Sequence, residues 1–264
     1  MIDIHHHCLP DVDDGPREWD EAVAMCRMAA DEGITTIIAT PHVLRGRWRT
    51  FPPKELASRL AELQQRVSGI IDLRLGSEYF FAHDMVEVLN SGKSIVPLAG
   101  GQYVLIELAA NSVPPMLEQP LYRAQLEGWT PILAHPERNI VLQRRPELLE
   151  ELIGHGVKTQ LTAGSLLGEF GPEARKASEV FLERRMIHFL ASDAHNTSKR
   201  PPHVRAATEL LQQRYGEQVA TALTIENPRA VLENRTLPYD PDPRSERPHG
   251  FLTRVRGFFM RQKA

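Results

Sequence analysis

Short apolar runs, many of them β-branched, alternate along this chain with longer stretches in which apolar residues recur every three or four positions. The runs are MIDIH (1–5), ITTIIAT (34–40), IIDLRLG (70–76), QYVLIEL (102–108), TPILAH (130–135), VKTQLT (157–162) and MIHFLA (186–191). Between the first two, Ala22, Met25, Cys26 and Ala29 fall at i, i+3, i+4 and i+7, one helical face that ends at Gly33. Similar helical stretches fill 54–68, 114–127, 146–153, 172–185 and 203–214. Strand and helix alternating about seven times predict an α/β fold with a parallel sheet, most economically a (β/α) barrel in a single domain. An open doubly wound sheet is the competing architecture, since periodicity does not report closure.

The pattern changes after residue 235. LPYDPDPRSERPHG carries four prolines and several charges, so 236–249 reads as an extended linker. In 250–264, Phe251, Leu252, Val255, Phe258 and Phe259 share one helical face, with arginine and lysine opposite. Such a basic amphipathic helix can lie on a membrane surface, dock on a partner or pack back on its own domain.

The polar residues carry the chemistry, because they follow the apolar runs. His5 and His7 close the first run, with Asp14 behind them; His42 follows the second, in ATPH; and Glu78 follows the third, in GSE. Glu107 lies near the end of the fourth, in LIEL; His135 closes the fifth, in LAHPER; and Asp193 and His195 follow the seventh, in ASDAH. In a parallel barrel every strand ends on one rim, so these distant residues converge there. A leftover polyhistidine tag at His5, His6 and His7 would not be echoed strand after strand. His5 and His7, two apart on a strand, point the same way, and His6 points elsewhere, as a neighbour of the site. So many imidazoles and carboxylates exceed what one tetrahedral ion takes and suit two or three divalent cations. Nitrogen and oxygen donors without thiolate favour manganese, iron or zinc over calcium, and magnesium fits less well.

Composition narrows the setting. At 264 residues the chain can bury one large core or two small ones, and 42% hydrophobic with 25% charged residues excludes wholesale disorder. A formal net charge of -3 gives no general attraction to nucleic acid. The two cysteines, Cys8 and Cys26, supply no disulfide framework and fit a reducing compartment. Without a leader-like opening or an apolar run of spanning length, a cytoplasmic protein is expected, with peripheral contact at the inner membrane face through 250–264. Neither cysteine is followed six positions later by arginine, since Asp14 and Glu32 stand there, which excludes a cysteine-based tyrosine phosphatase.

The motifs MIDIHHHCLPDVDDGP, ATPH, GSE, LIEL, AHPER, ASDAHN and RPPH together resemble those of PHP-domain phosphoesterases (polymerase and histidinol phosphatase) over roughly residues 1–235. Within that superfamily the chain is most similar to the protein-tyrosine phosphatases of bacterial capsular and exopolysaccharide gene clusters. The resemblance implies a distorted seven-stranded barrel with three metal sites. His5, His7, Glu78 and Asp193 would hold one ion, with Glu78 bridging to a second that also takes Glu107 and His135. Asp14, His42 and His195 would hold the third. Manganese is the expected metal, with iron or zinc as alternatives.

The resemblance also implies a phosphate-contacting role for Arg138, for which an ion pair with Glu137 or a nearby carboxylate is the plain alternative. Arg138, Asp193 and His195 are the expected catalytic residues, and His6 with Arg138 would line the substrate pocket. His6 departs from the family pattern, which often has a small polar residue there. The implied substrate is a phosphotyrosine protein, the tyrosine kinase of polysaccharide export, attacked by a metal-bridging hydroxide. A small-molecule monoesterase of the histidinol-phosphatase kind, a phosphodiesterase and a non-catalytic metal-bound regulatory module remain alternatives.

Overall fold

The computed structural model describes residues 1–44, 46, 48–241 and 243. The expected helix over 250–264 lies outside the described residues, as does the expected linker beyond 241 apart from Pro243. Among the described residues there are nine strands. They are β1 (Ile2–His6), β2 (Thr36–Ala39), β3 (His42–Val43), β4 (Asp72–Leu75), β5 (Glu78–Phe80), β6 (Tyr103–Glu107), β7 (Thr130–Ala134), β8 (Lys158–Thr162) and β9 (Phe189–Ala191). Seven strands were expected; the extra two, β3 and β5, are short strands that resume just beyond the second and third runs. Thr40 and Pro41, which has no N–H for a ladder, separate β2 from β3, and Gly76 and Ser77 separate β4 from β5.

Every pairing is parallel. The order β1-β2-β4 forms one sheet and β3-β5-β6-β7-β8-β9 the other. The sheets meet at these two junctions: Gly76 N donates to Ala39 O at 2.8 Å and Glu78 N to Pro41 O at 3.0 Å. At the far ends, Asp193 N donates to His5 O and His7 N to Ala194 O, both at 2.9 Å. The molecule is thus a single-domain α/β fold with parallel sheets.

Because side chains alternate along a strand, the two faces of each strand serve different apolar layers. Ile37, Ala39, Val104, Ile106, Leu133, Leu161 and Leu190 join the larger layer, with the helical residues Ala22, Cys26, Leu56, Leu63 and Phe181. Ile4, Ile38, Leu105, Ile132 and Phe189 belong to the smaller one, with Leu98 and Val231. The helices Trp19–Asp31, Pro53–Arg66, Glu118–Leu126, Pro146–Gly154, Pro172–Glu183 and Arg205–Tyr215 correspond to the six expected stretches. That expected from 114 begins late, at Glu118, because Pro115 biases Pro114 away from helical geometry. Helices as short as Ala163–Leu167 and Asn227–Leu232 carry too few turns to show a helical period.

One irregularity aims the first strand. Asp3 pairs with Ile37 but His6 pairs with Ala39, so β1 advances three residues while β2 advances two. The extra residue is a bulge, which bends a strand and re-aims its side chains. Ile4 stays with the smaller layer, whereas His6 shares the side of Ala39, a residue of the larger one. His5 and His7, on either side of His6, therefore turn inward, above the smaller layer.

Gly76 sits where the sheets meet. A Cβ there would lie 2.7 Å from Leu98 Cδ2 and 3.0 Å from Ile38 Cγ2. Gly76→Ala is expected to cost ~1–3 kcal/mol by overpacking, read as a lower thermal midpoint; an unchanged midpoint would show that Leu98 moves aside freely.

Candidate metal centre

The smaller apolar layer forms a floor, and the polar residues stand above it at the strand ends. His42 pairs with Glu78 across β3 and β5, and Glu78 with Leu105 of the floor, so all three share one face. Glu107 is the last residue of β6, two beyond Leu105, and lies on that face as well. His135 directly follows β7 and Asp193 follows β9 by two residues, both with left-handed backbone (φ 32° and 53°). Such conformations are strained for residues other than glycine and concentrate at functional sites. His5, His7, His42, Glu78, Glu107, His135, Asp193 and His195 are all buried, while the Asp14 side chain is 39% exposed.

Four donors converge. His5 Nε2 lies 3.2 Å from His7 Nε2, 3.4 Å from Glu78 Oε2 and 3.3 Å from Asp193 Oδ1. His7 Nε2 lies 3.4 Å from Glu78 Oε2 and 3.5 Å from Asp193 Oδ1. Ligands ~2.1 Å from a tetrahedral ion stand about 3.4 Å apart, so these spacings are those of a coordination shell. On one side, His135 Nε2 is 2.9 Å from Glu78 Oε1, and His42 Nδ1 is 2.8 Å from Glu78 Oε2 and 3.8 Å from Glu107 Oε2. On the other, Asp14 Oδ1 is 3.2 Å from His42 Nε2 and 3.3 Å from His195 Nε2. Glu78 Oε2 and His195 Nε2 are buried and have these close donor neighbours without a well-aligned hydrogen bond to them, the arrangement expected of groups that share a cation. Among the described residues, four overlapping clusters could hold metal ions: His7, Asp14, His42 and His195; His5, Glu78 and His135; His5, His7 and Asp193; and His42, Glu78 and Glu107.

A further set of side chains, not anticipated from the sequence, orients these donors. His5 Nδ1 donates to Gln160 Oε1 at 2.8 Å and His7 Nδ1 to Asp13 Oδ2 at 2.7 Å, leaving each Nε2 to face the centre. Asp13 Oδ2 also accepts from His42 N at 3.0 Å, and Asp13 Oδ1 from Gly15 N at 2.9 Å. Gly15 is required there, since a Cβ would collide with the His7 carbonyl oxygen. Arg138 does make the ion pair that was its plain alternative, with the nearby carboxylate of Asp193 and not with Glu137: Nη1 donates to Asp193 Oδ2 at 2.5 Å. Arg200 Nη2 donates to the same oxygen at 2.6 Å, and both guanidinium groups lie over the Phe170 ring, at 4.4 and 5.7 Å. Arg200 stands in the motif RPPH, but no spacing marked it as a partner of Asp193.

His6 does not take the substrate-facing place expected of it. It is wholly buried on the side of Ala39, and neither ring nitrogen has a hydrogen-bond partner. Burial, then the neighbouring His7, lowers its pKa to about 3, so it stays neutral and away from the mouth.

The imidazoles divide electrically. Burial pulls His5 and His42 down, but Glu78, with Asp193 beside His5 and Asp14 beside His42, outweighs it and raises them to about 9 and about 11. Burial, reinforced by Arg138 at His135 and by His7 at His195, lowers those two to about 4. Burial opposes ionisation of Glu78 and Asp193, yet His5 and the other cations around them hold both well below the carboxylate range.

These shifts fix a pH profile for the metal-free protein. Stability from His5 is complete below its ordinary pKa of 6.5 and fades as pH rises through about 9. His135 and His195 favour the fold above 6.5, and that share fades as pH falls towards about 4. Thermal midpoints of chelator-treated protein should therefore peak near pH 6.5, and added divalent cation should release protons near neutrality. A flat profile with no proton release would contradict this charge pattern.

The family model for capsular polysaccharide synthesis proteins, CpsB/CapC, matches residues 1–233. The tyrosine-protein phosphatase YwqE of Bacillus subtilis (strain 168) is 36% identical over 239 residues, covering 90% of this chain and 93% of that protein. The tyrosine-protein phosphatase CpsB of Streptococcus pneumoniae is 31% identical over 245 residues, covering 90% of this chain and 100% of that protein. A solved structure from work on YwqE and CpsB, described as unique metal-dependent tyrosine phosphatases, superposes with a TM-score of 0.87 at 35% identity. That superposition covers 92% of this chain and 99% of the other. By sequence over nine-tenths of its length, and by fold, the chain belongs to the CpsB/CapC family of capsular polysaccharide synthesis.

Proposed function

We propose that the chain is a metal-dependent protein-tyrosine phosphatase that acts in the cytoplasm on the tyrosine kinase of a polysaccharide-assembly system. The observation that carries this reading is the set of spacings, 3.2 to 3.5 Å, among the donors of His5, His7, Glu78 and Asp193. The names of the YwqE and CpsB relatives support the same activity. Two or three divalent cations suit the donor set, manganese first, with iron or zinc as alternatives. We assign His5, His7, Glu78 and Asp193 to one ion, Glu78, Glu107 and His135 to a second, and Asp14, His42 and His195 to a third. The position of His42 between Asp14 and the Glu78–Glu107 pair also allows it to serve the second. The same reading takes residues 1–235 as one PHP-type domain and the two sheets as one distorted (β/α)7 barrel. The hydrogen bonds Asp193 N to His5 O and His7 N to Ala194 O support closure.

When bound, the cations would lower the pKa of a coordinated water towards neutrality and offset the charge on phosphate. The protein's own groups do the rest. Asp13 and Gln160 hold His7 and His5 in the tautomers that present Nε2. Arg138 and Arg200, with side chains 26% and 25% exposed, place two fixed positive charges where nonbridging phosphate oxygens would lie. A phenolate leaving group, of pKa about 10, needs less protonation than an alkoxide, so a strong acid in the pocket is not required.

Chelation should abolish hydrolysis of a phosphotyrosine peptide and manganese should restore it; full turnover by stripped protein would overturn the reading. Arg138→Ala should lower kcat by ~10²–10³-fold while metal content, measured by elemental analysis, stays unchanged. In a side-by-side assay the phosphotyrosine peptide should be hydrolysed faster than histidinol phosphate, and indifference to the peptide would move the assignment to a small-molecule phosphatase.

A further inference from the structure

A cavity much larger than the one lined by Glu107, His135 and Arg138 lies away from the metal centre. It is an open groove of about 880 Å³ between the end of the helix Pro172–Glu183, the segment from Tyr215 to Glu226, and Pro238 and Tyr239. It lies beside the entry to β9, whereas Asp193 and His195 follow that strand's exit. Tyr215, Val219 and Tyr239 give it apolar surface. Its charged lining is Glu183, Glu217 and Glu226 against the single Arg185, so its balance is acidic.

The chain arrives at this groove under restraint. Tyr239 N donates to Asn227 Oδ1 at 3.0 Å, and Asn227 Nδ2 donates to Tyr239 O at 2.7 Å and to His188 O at 2.9 Å. One residue on, Asp240 accepts from Lys158 Nζ at 2.7 Å and from His188 Nε2 at 3.1 Å. Seven residues, 244–250, separate Pro243 from Phe251. They can span about 25 Å when extended, so 251–264 can reach the groove that Tyr239 lines. That segment has four cations, Arg254, Arg256, Arg261 and Lys263, no acidic residue, and the apolar set Phe251, Leu252, Val255, Phe258 and Phe259.

We propose that residues 251–264 dock intramolecularly in this groove, apolar side chains against Tyr215, Val219 and Tyr239 and basic side chains towards Glu183, Glu217 and Glu226. The sign of the charge, the attachment point and the matching apolar surface all favour the chain's own tail over an unrelated partner. Because the groove lies at the other end of β9 from the metal donors, docking leaves the mouth open. Its role is to cover an apolar surface, not to gate the reaction.

Amide hydrogen exchange on the full-length chain tests this. Phe258→Asp with Phe259→Asp, and separately Glu217→Lys with Glu226→Lys, should each speed exchange over 215–226 by about tenfold, with hydrolysis of p-nitrophenyl phosphate unchanged. Combining Glu217→Lys and Glu226→Lys with Arg254→Glu and Arg256→Glu should restore protection, which general destabilisation of the groove would not do. Unchanged exchange in both variants would overturn the proposal. So would protection that disappears on dilution, which would indicate a second copy, or protection present only with phosphatidylglycerol vesicles, which would indicate a membrane site.

Discussion

Between Asp3 and His6, β1 moves forward three residues while its neighbour moves two, and that mismatch decides which side chains face the interior. Without it, alternation from Ile2 and Ile4 would send His6 inward and His5 and His7 outward among the helices. With it, an apolar floor of Ile4, Ile38, Leu105 and Ile132 passes directly into two imidazoles. Every other donor is arranged about that pair: Glu78 and Asp193 approach both, and Asp13 and Gln160 hold the far nitrogens. A register defect of one residue therefore does the work of a strand-long redesign.

Burying this much charge is tolerable only because the charges answer one another. Glu78 is wholly enclosed, and in the metal-free protein it stays ionised and raises His5 and His42 to about 9 and about 11, protons that a bound cation would displace. Asp193 divides its two oxygens between tasks, Oδ1 towards His5 and His7 and Oδ2 towards Arg138 and Arg200. One carboxylate thus ties the donor ring to the positive rim. Under the proposed function, the same residue would hold a bound cation in fixed relation to those two arginines.

The repeated placement of acid or imidazole after an apolar run was legible in the sequence, because strand ends in a parallel fold share a rim. The nine residues chosen in that way, from His5 to His195, do come together. The short strands β3 and β5 were not visible, since each follows the end of an apolar run and spans only two or three residues, too few to show a strand period. For His6 the two-residue period correctly set it on the side away from His5 and His7; the pocket-lining role failed because that side is buried against the larger apolar layer. Asp13 was overshadowed by Asp14 beside it, and Gln160 and Arg200 act through single hydrogen bonds that no spacing rule encodes. The late start at Glu118 reflects local proline chemistry overriding apolar periodicity.

Phe170 lies on the stretch between the helices Ala163–Leu167 and Pro172–Glu183 and supports two guanidinium groups on one ring. The two positive charges, contributed from positions far apart in the chain, are thereby mechanically yoked. A shift of that single turn would carry both together, preserving the angle between them while altering their height above the pocket. Replacing this one aromatic residue would therefore shift both charges at once without altering either arginine.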